Sequence, residues 1–106
     1  MEINEYQESA GATAVYPAEL KGGIFYPSLG LAGEVGELLN KVKKIARDGA
    51  VPDREGIKME LGDILWYVAR IASEMDISMD EIANSNIEKL RKRKENGTIH
   101  GSGDYR

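Results

Sequence analysis

The sequence has no cysteine and a single histidine, His100, close to its end. Disulfides and thiol nucleophiles are therefore excluded, and a zinc site built on Cys and His is not available. Cysteine-free composition fits a reducing cytoplasm, the expected compartment. No apolar run approaches the ~18 residues needed to cross a membrane, so no membrane partner is expected. The opening Met1-Glu2-Ile3-Asn4-Glu5 is acidic and lacks the apolar core of a signal peptide. Basic residues do not predominate. The formal net charge is −4, which argues against a nucleic-acid polymer as partner. Strand signals are also missing, because no segment alternates apolar and polar residues. Nor is there a Gly-rich loop ahead of a Lys-Ser or Lys-Thr pair to cradle phosphates.

What is present reads as one soluble domain, residues 1–106, with 42% hydrophobic and 30% charged residues. Its core must be small, and small helical chains often complete a core by oligomerising. Four helices are predicted, over about residues 4–15, 27–47, 54–75 and 78–96. Pro17, Gly22 and Gly23 mark a loop over 17–26, and Asp48-Gly49 with Pro52-Asp53 mark a short turn. Ser78 and Glu81 form a capping-box pattern, with Ile77 and Ile82 spaced as a hydrophobic staple. Residues 97–106 are expected to be a flexible Gly-rich tail.

The second and third helices are written on one template. Residues 34–46 read EVGELLNKVKKIA and residues 60–72 read ELGDILWYVARIA, matching at an offset of 26. Leu31, Val35, Leu38, Val42 and Ile45 make one apolar stripe, and Ile57, Leu61, Ile64, Val68 and Ile71 make the other. Two copies at this spacing fit an antiparallel helical hairpin rather than a solenoid. Glu34 and Glu60 lie on the shoulder of the stripes, and Glu37 and Asp63 lie one step further round. Packing the stripes together brings the four carboxylates to one rim of the seam. The fourth helix is expected to pack beside this hairpin.

Carboxylates beside an apolar stripe are usually a solvated helix edge, and a Glu37–Lys41 pair adds only ~0.2–0.5 kcal/mol. Two such pairs facing each other are different. At 4 Å and an effective dielectric of 20, each like-charge contact costs ~4 kcal/mol. A purely structural hairpin gains nothing from that repulsion, whereas a divalent cation reverses its sign. Mg²⁺ prefers carboxylate oxygen and keeps waters for a phosphate substrate, with Mn²⁺ as a possible substitute. The expected metal ligands are Glu34, Glu37, Glu60 and Asp63.

The order Glu34-x-x-Glu37, 22 residues, Glu60-x-x-Asp63 resembles the MazG-like all-α nucleoside triphosphate pyrophosphohydrolases. So do the words GLAGEVGEL (30–38), ELGDILWYV (60–68), NIEKLRKR (86–93) and GSGDYR (101–106). The resemblance covers nearly the whole chain. It implies a four-helix bundle assembled as a dimer or a dimer of dimers. It also implies Mg²⁺-dependent hydrolysis of (d)NTPs to (d)NMP and pyrophosphate, in the manner of a nucleotide-pool house-cleaning enzyme. One carboxylate would help to activate the water, a role assigned to Glu37.

Asn86 falls within the apolar stripe of the fourth helix, with Lys89 and Arg93 along its edge. From the residues alone, these are either a satisfied core amide with two solvated cations or a substrate-binding group. The resemblance favours the second reading, with the cations on phosphates. Lys44 is open to a phosphate role or a surface ion pair. Trp66 lies on a second face of its helix with Gly62, Ala69 and Ser73. That face suggests a subunit interface, with a base-stacking role as the alternative. Tyr6 and Gln7 are open to packing or to nucleobase contact, and Asp104 and Arg106 to closing over a nucleotide or to an unstructured end. Two rivals stand beside the main reading. One is a phosphoribosyl-ATP pyrophosphohydrolase, and the other is a non-enzymatic helical oligomer whose acids are merely exposed.

Overall fold

The computed structural model describes residues 1–17 and 23–105. Within them are four α-helices and no strand: α1 (Ile3–Ala12), α2 (Phe25–Asp48), α3 (Arg54–Glu74) and α4 (Met79–Glu95). The all-α expectation is met. Residues 18–22 of the predicted 17–26 loop, and Arg106 of the tail, lie outside the described residues. Helix α2 starts two residues before Pro27. Proline is tolerated there because first-turn N–H groups have no partner within the helix.

Helices α2 and α3 form the hairpin. Gly49 ends α2 in the left-handed region at φ 64°. Asp53 opens α3, its side chain accepting from the Gly56 N–H at 3.0 Å. Gly30 meets Tyr67, and Glu34 lies beside Asp63. Position rises along one helix as it falls along the other, so the pair is antiparallel. Gly30 is required at its place, because a Cβ there would sit 2.1 Å from the Tyr67 ring.

The other side of α3 is covered by α1. Ala10, Ala69, Ala72 and Met79 form the buried cluster, with Ile3, Tyr6, Trp66 and Val68 packed against it. The small residues of α3 let α1 come close, and the Trp66 Nε1–H donates to Thr13 Oγ1 at 2.8 Å. The face expected to be a subunit interface is thus taken by the chain's own first helix. Arg70 ties in the segment after α1: it donates to the Tyr16 hydroxyl at 2.8 Å and pairs with Glu74 at 3.4 Å.

Helix α4 packs chiefly on α1 rather than alongside the hairpin. The reason lies at its N-terminus, where three orphan N–H groups find side-chain acceptors. Met79 N–H donates to Gln7 Oε1, Asp80 N–H to Asn4 Oδ1 and Glu81 N–H to Ser78 Oγ, at 2.8, 2.9 and 3.0 Å. The Gln7 amide also donates to Ser73 Oγ and the Ile77 carbonyl at 3.1 and 2.8 Å. Gln7 is a clamp between helices rather than a nucleobase contact.

The resulting chain is open. Its radius of gyration is 16.6 Å, against about 13 Å for a compact chain of this length. Part of the hairpin stripe stays exposed: Val42 is 46% exposed and Leu61 51%, and neighbouring Leu39 is 60% exposed. On α4, Ile87 is 66% exposed. Among the described residues, no helix is long and apolar enough to cross a membrane.

The Gly30–Tyr67 contact yields a stability test. Gly30→Ala should destabilise the fold by ~1–3 kcal/mol through overpacking. Gly33→Ala, whose Cβ meets nothing within 4 Å, should be neutral or stabilising by up to ~1 kcal/mol. Thermal melts of the two variants check this, and equal effects would contradict the contact.

Candidate metal centre

The antiparallel register sets Glu34 of α2 opposite Glu60 and Asp63 of α3. One carboxylate oxygen from each lies within 4.8 Å of the others. Glu34 and Glu60 are half-buried at the seam, and Asp63 is exposed at its mouth. Glu60 Oε2 is buried and has no hydrogen-bond partner among the described residues. A buried, unpaired carboxylate oxygen is costly unless a cation satisfies it. The donor set is all oxygen, and this suits a hard divalent ion such as Mg²⁺ rather than zinc. The residues present therefore fit a metal of that class.

Glu37 is not in this three-residue group. It sits one turn further along α2, exposed to solvent. It remains close enough for its charge to act on Glu34. The Glu34 carboxyl is held above its usual 4.5, first by loss of solvent and next by the adjoining Glu60 carboxyl. The charges of Asp63, Glu60 and Glu37 add to the effect. The same negative field reaches two tyrosines. Tyr6 is raised by burial and then by Asp63, and its hydroxyl lies 3.5 Å from the Gly62 carbonyl. Tyr67 is raised by burial, then by Tyr26, Glu34, Asp63 and Tyr16.

A cavity of about 320 Å³ opens beside the carboxylates, lined by Thr13, Glu34, Asp63, Trp66 and Tyr67. Two of these residues were not singled out from the sequence. Tyr67 had a signal, as an aromatic directly after Trp66 on the motif helix. Thr13 had none, because its place depends on how α1 lies across α3.

The expected substrate-binding residues sit elsewhere in the chain. Asn86 is exposed and, with Lys89, borders a cavity lined by Ile77, Glu81, Ile82 and Ser85. Arg93 is buried, but by the tail: its guanidinium donates to the Gly103 carbonyl at 3.0 Å. Asp104 lies 3.8 Å from both Arg93 and Lys89. Residues 97–105 contain no helix or strand and fold back over the end of α4. Within the chain, then, the α4 cations line different cavities from the acidic cluster. Lys44 is ten residues past Glu34, about 15 Å further along the helix at 1.5 Å per residue. Its nearby charge is Asp48, which makes it a surface residue and not part of the cluster.

Residues 28–98 match the family model of the MazG nucleotide pyrophosphohydrolase domain. The chain belongs to this family. The match spans α3, α4 and all but the first three residues of α2, and so includes the whole acidic cluster. The chain is also similar to the Gene 37 protein of Mycobacterium phage L5, with 42% identity over 114 aligned positions covering all of both chains. No solved structure matches. MazG membership places the chain among the nucleotide pyrophosphohydrolases, with an acidic cluster of the kind a divalent ion needs.

The Glu34 shift has a definite sign. Its proton is held more tightly in the fold than in the unfolded chain. The stability this contributes is present at low pH and lost as pH rises from 4.5 through the raised value. Metal-free Glu34→Gln should therefore melt higher than the parent at neutral pH, with the gap closing toward pH 4. Differential scanning calorimetry in chelator checks this, and a variant that melts lower at pH 7 would contradict the repulsion.

Proposed function

We propose that this MazG-family protein hydrolyses (d)NTPs to (d)NMP and pyrophosphate with Mg²⁺ held by Glu34, Glu60 and Asp63. The observation that carries this reading is the three-carboxylate cluster, with Glu60 Oε2 buried and without a hydrogen-bond partner among the described residues. When bound, Mg²⁺ supplies positive charge against the triphosphate and makes water a better nucleophile. The protein's own part is positioning and proton transfer. Glu37, exposed on the same helix, accepts the proton of the attacking water. The water oxygen bonds to the α-phosphorus, the α–β bridging bond breaks, and pyrophosphate leaves with the electron pair. Such in-line displacement needs little covalent help and depends on orientation and charge neutralisation. Removing unwanted nucleotides from the pool is the biological role that fits this reaction.

Phosphate binding by Asn86, Lys89 and Arg93 fits best if a second copy brings its α4 to the acidic cluster. Three features support this. The chain is open, Val35, Val42 and Leu61 of the hairpin stripe are exposed, and α4 carries its own exposed apolar residues Ile82, Ile87 and Leu90. Covering apolar surface of this extent is the usual drive for a symmetric dimer or dimer of dimers.

Hydrolysis of a dNTP in ¹⁸O-water tests the chemistry. Label should enter the nucleoside monophosphate and leave pyrophosphate unlabelled. Label in pyrophosphate, or release of orthophosphate, would refute attack at the α-phosphorus. Glu60→Ala and Arg93→Ala should each lower kcat by about 100-fold or more. Mixed and reassociated, the two variants should recover roughly a quarter of parental activity, since half of the pairs are hybrids with one intact site. No recovery would place each site within a single protomer.

A further inference from the structure

The cavity beside the carboxylates is lined by two chemically different sets of side chains: the carboxylates of Glu34 and Asp63, and the rings of Trp66 and Tyr67, together with Thr13. A ligand whose charged end meets the carboxylates through a cation therefore presents its remaining part to aromatic rings. Trp66 is held in a defined pose. Its ring meets Tyr67 edge-on, with centroids 5.0 Å apart and planes at 86°. Its Nε1–H is committed to Thr13 Oγ1 at 2.8 Å, and the Thr13 hydroxyl donates in turn to the Ala10 carbonyl at 3.1 Å. Tyr67 is itself wedged over Gly30. The indole is half-buried, and its one hydrogen-bond donor is already spoken for. It is left with π surface to offer a ligand and no polar group to read a base edge.

We infer that Trp66 is the platform on which the nucleobase of the substrate stacks, held in pose by Thr13. The inference rests on the nucleotide pyrophosphohydrolase reading and adds the determinant of base recognition. Stacking accepts every base, because every base has a π face, and it favours the larger ring. The site should therefore take all (d)NTPs, modified bases included, with purines ahead of pyrimidines.

The chain has one tryptophan, so its emission reports this position alone. The probe is the α,β-methylene analogue of dATP with Mg²⁺, titrated against the full chain, with inorganic tripolyphosphate as the base-free comparison. The nucleotide analogue should quench Trp66 emission, and tripolyphosphate should leave it nearly unchanged. By calorimetry, Trp66→Ala should bind the analogue roughly 5- to 150-fold more weakly, and Trp66→Phe should lose only part of that. Tripolyphosphate affinity should be the same in all three proteins. Nucleotide binding by calorimetry without quenching, or equal quenching by tripolyphosphate, would overturn the stacking role and leave the hydrolytic reading standing. Absence of nucleotide binding in the parent protein would overturn both. If Trp66→Ala does not fold, parental quenching and the Trp66→Phe affinity decide the matter.

Discussion

Repulsion among Glu34, Glu60 and Asp63 is the constraint on which the arrangement turns. Their oxygens converge within 4.8 Å at the seam of two helices, where solvent screens charge less than at an open surface. The rest of the hairpin reads as the means of enforcing that convergence. The wedge of Tyr67 over Gly30 fixes the register of α2 against α3. Gly49 and Asp53 end one helix and start the next within five residues. A slip of one turn would relieve the repulsion and lose the cluster. The hairpin is therefore built to hold charges that are unfavourable without a cation.

Helix α3 serves two functions through its two faces. One face carries Glu60 and Asp63 to the seam with α2. The other, narrowed by Ala69 and Ala72, takes α1 and so sets Thr13 against Trp66. Because α1 and α4 are joined through Gln7 and Asn4, the position of α4 follows that of α1 and not of the hairpin. The acidic cluster and the α4 cations consequently line different cavities of the chain. The apolar residues left exposed on α2, α3 and α4 are the counterpart of this separation.

Local features were legible in the sequence. The 26-residue offset announced the hairpin, and helical spacing set Glu34, Glu37, Glu60 and Asp63 on one rim, of which Glu34, Glu60 and Asp63 converge and Glu37 stays apart. Ser78 was readable as a cap because capping is a matter of adjacent residues. Features that depend on distant partners were not. Gly30 is needed only because of a ring 37 positions away, and Gln7 is satisfied by groups some 70 positions away. Small residues beside Trp66 announced close packing, but such a pattern is the same for a helix of the chain's own and for one of another copy. The tail was expected to be flexible. Its Gly103 and Asp104 lie against Arg93 and Lys89, contacts that helical periodicity cannot foretell.

The central claim is that the convergent carboxylates exist to hold a divalent ion. Electron paramagnetic resonance of Mn²⁺ added to the metal-free protein, without nucleotide, tests it most directly. The account expects saturable binding of Mn²⁺ to each chain, displaced by excess Mg²⁺ and abolished by Glu60→Ala. Binding that survives Glu60→Ala undiminished, or Mn²⁺ that stays free in solution with the parent protein, would contradict it.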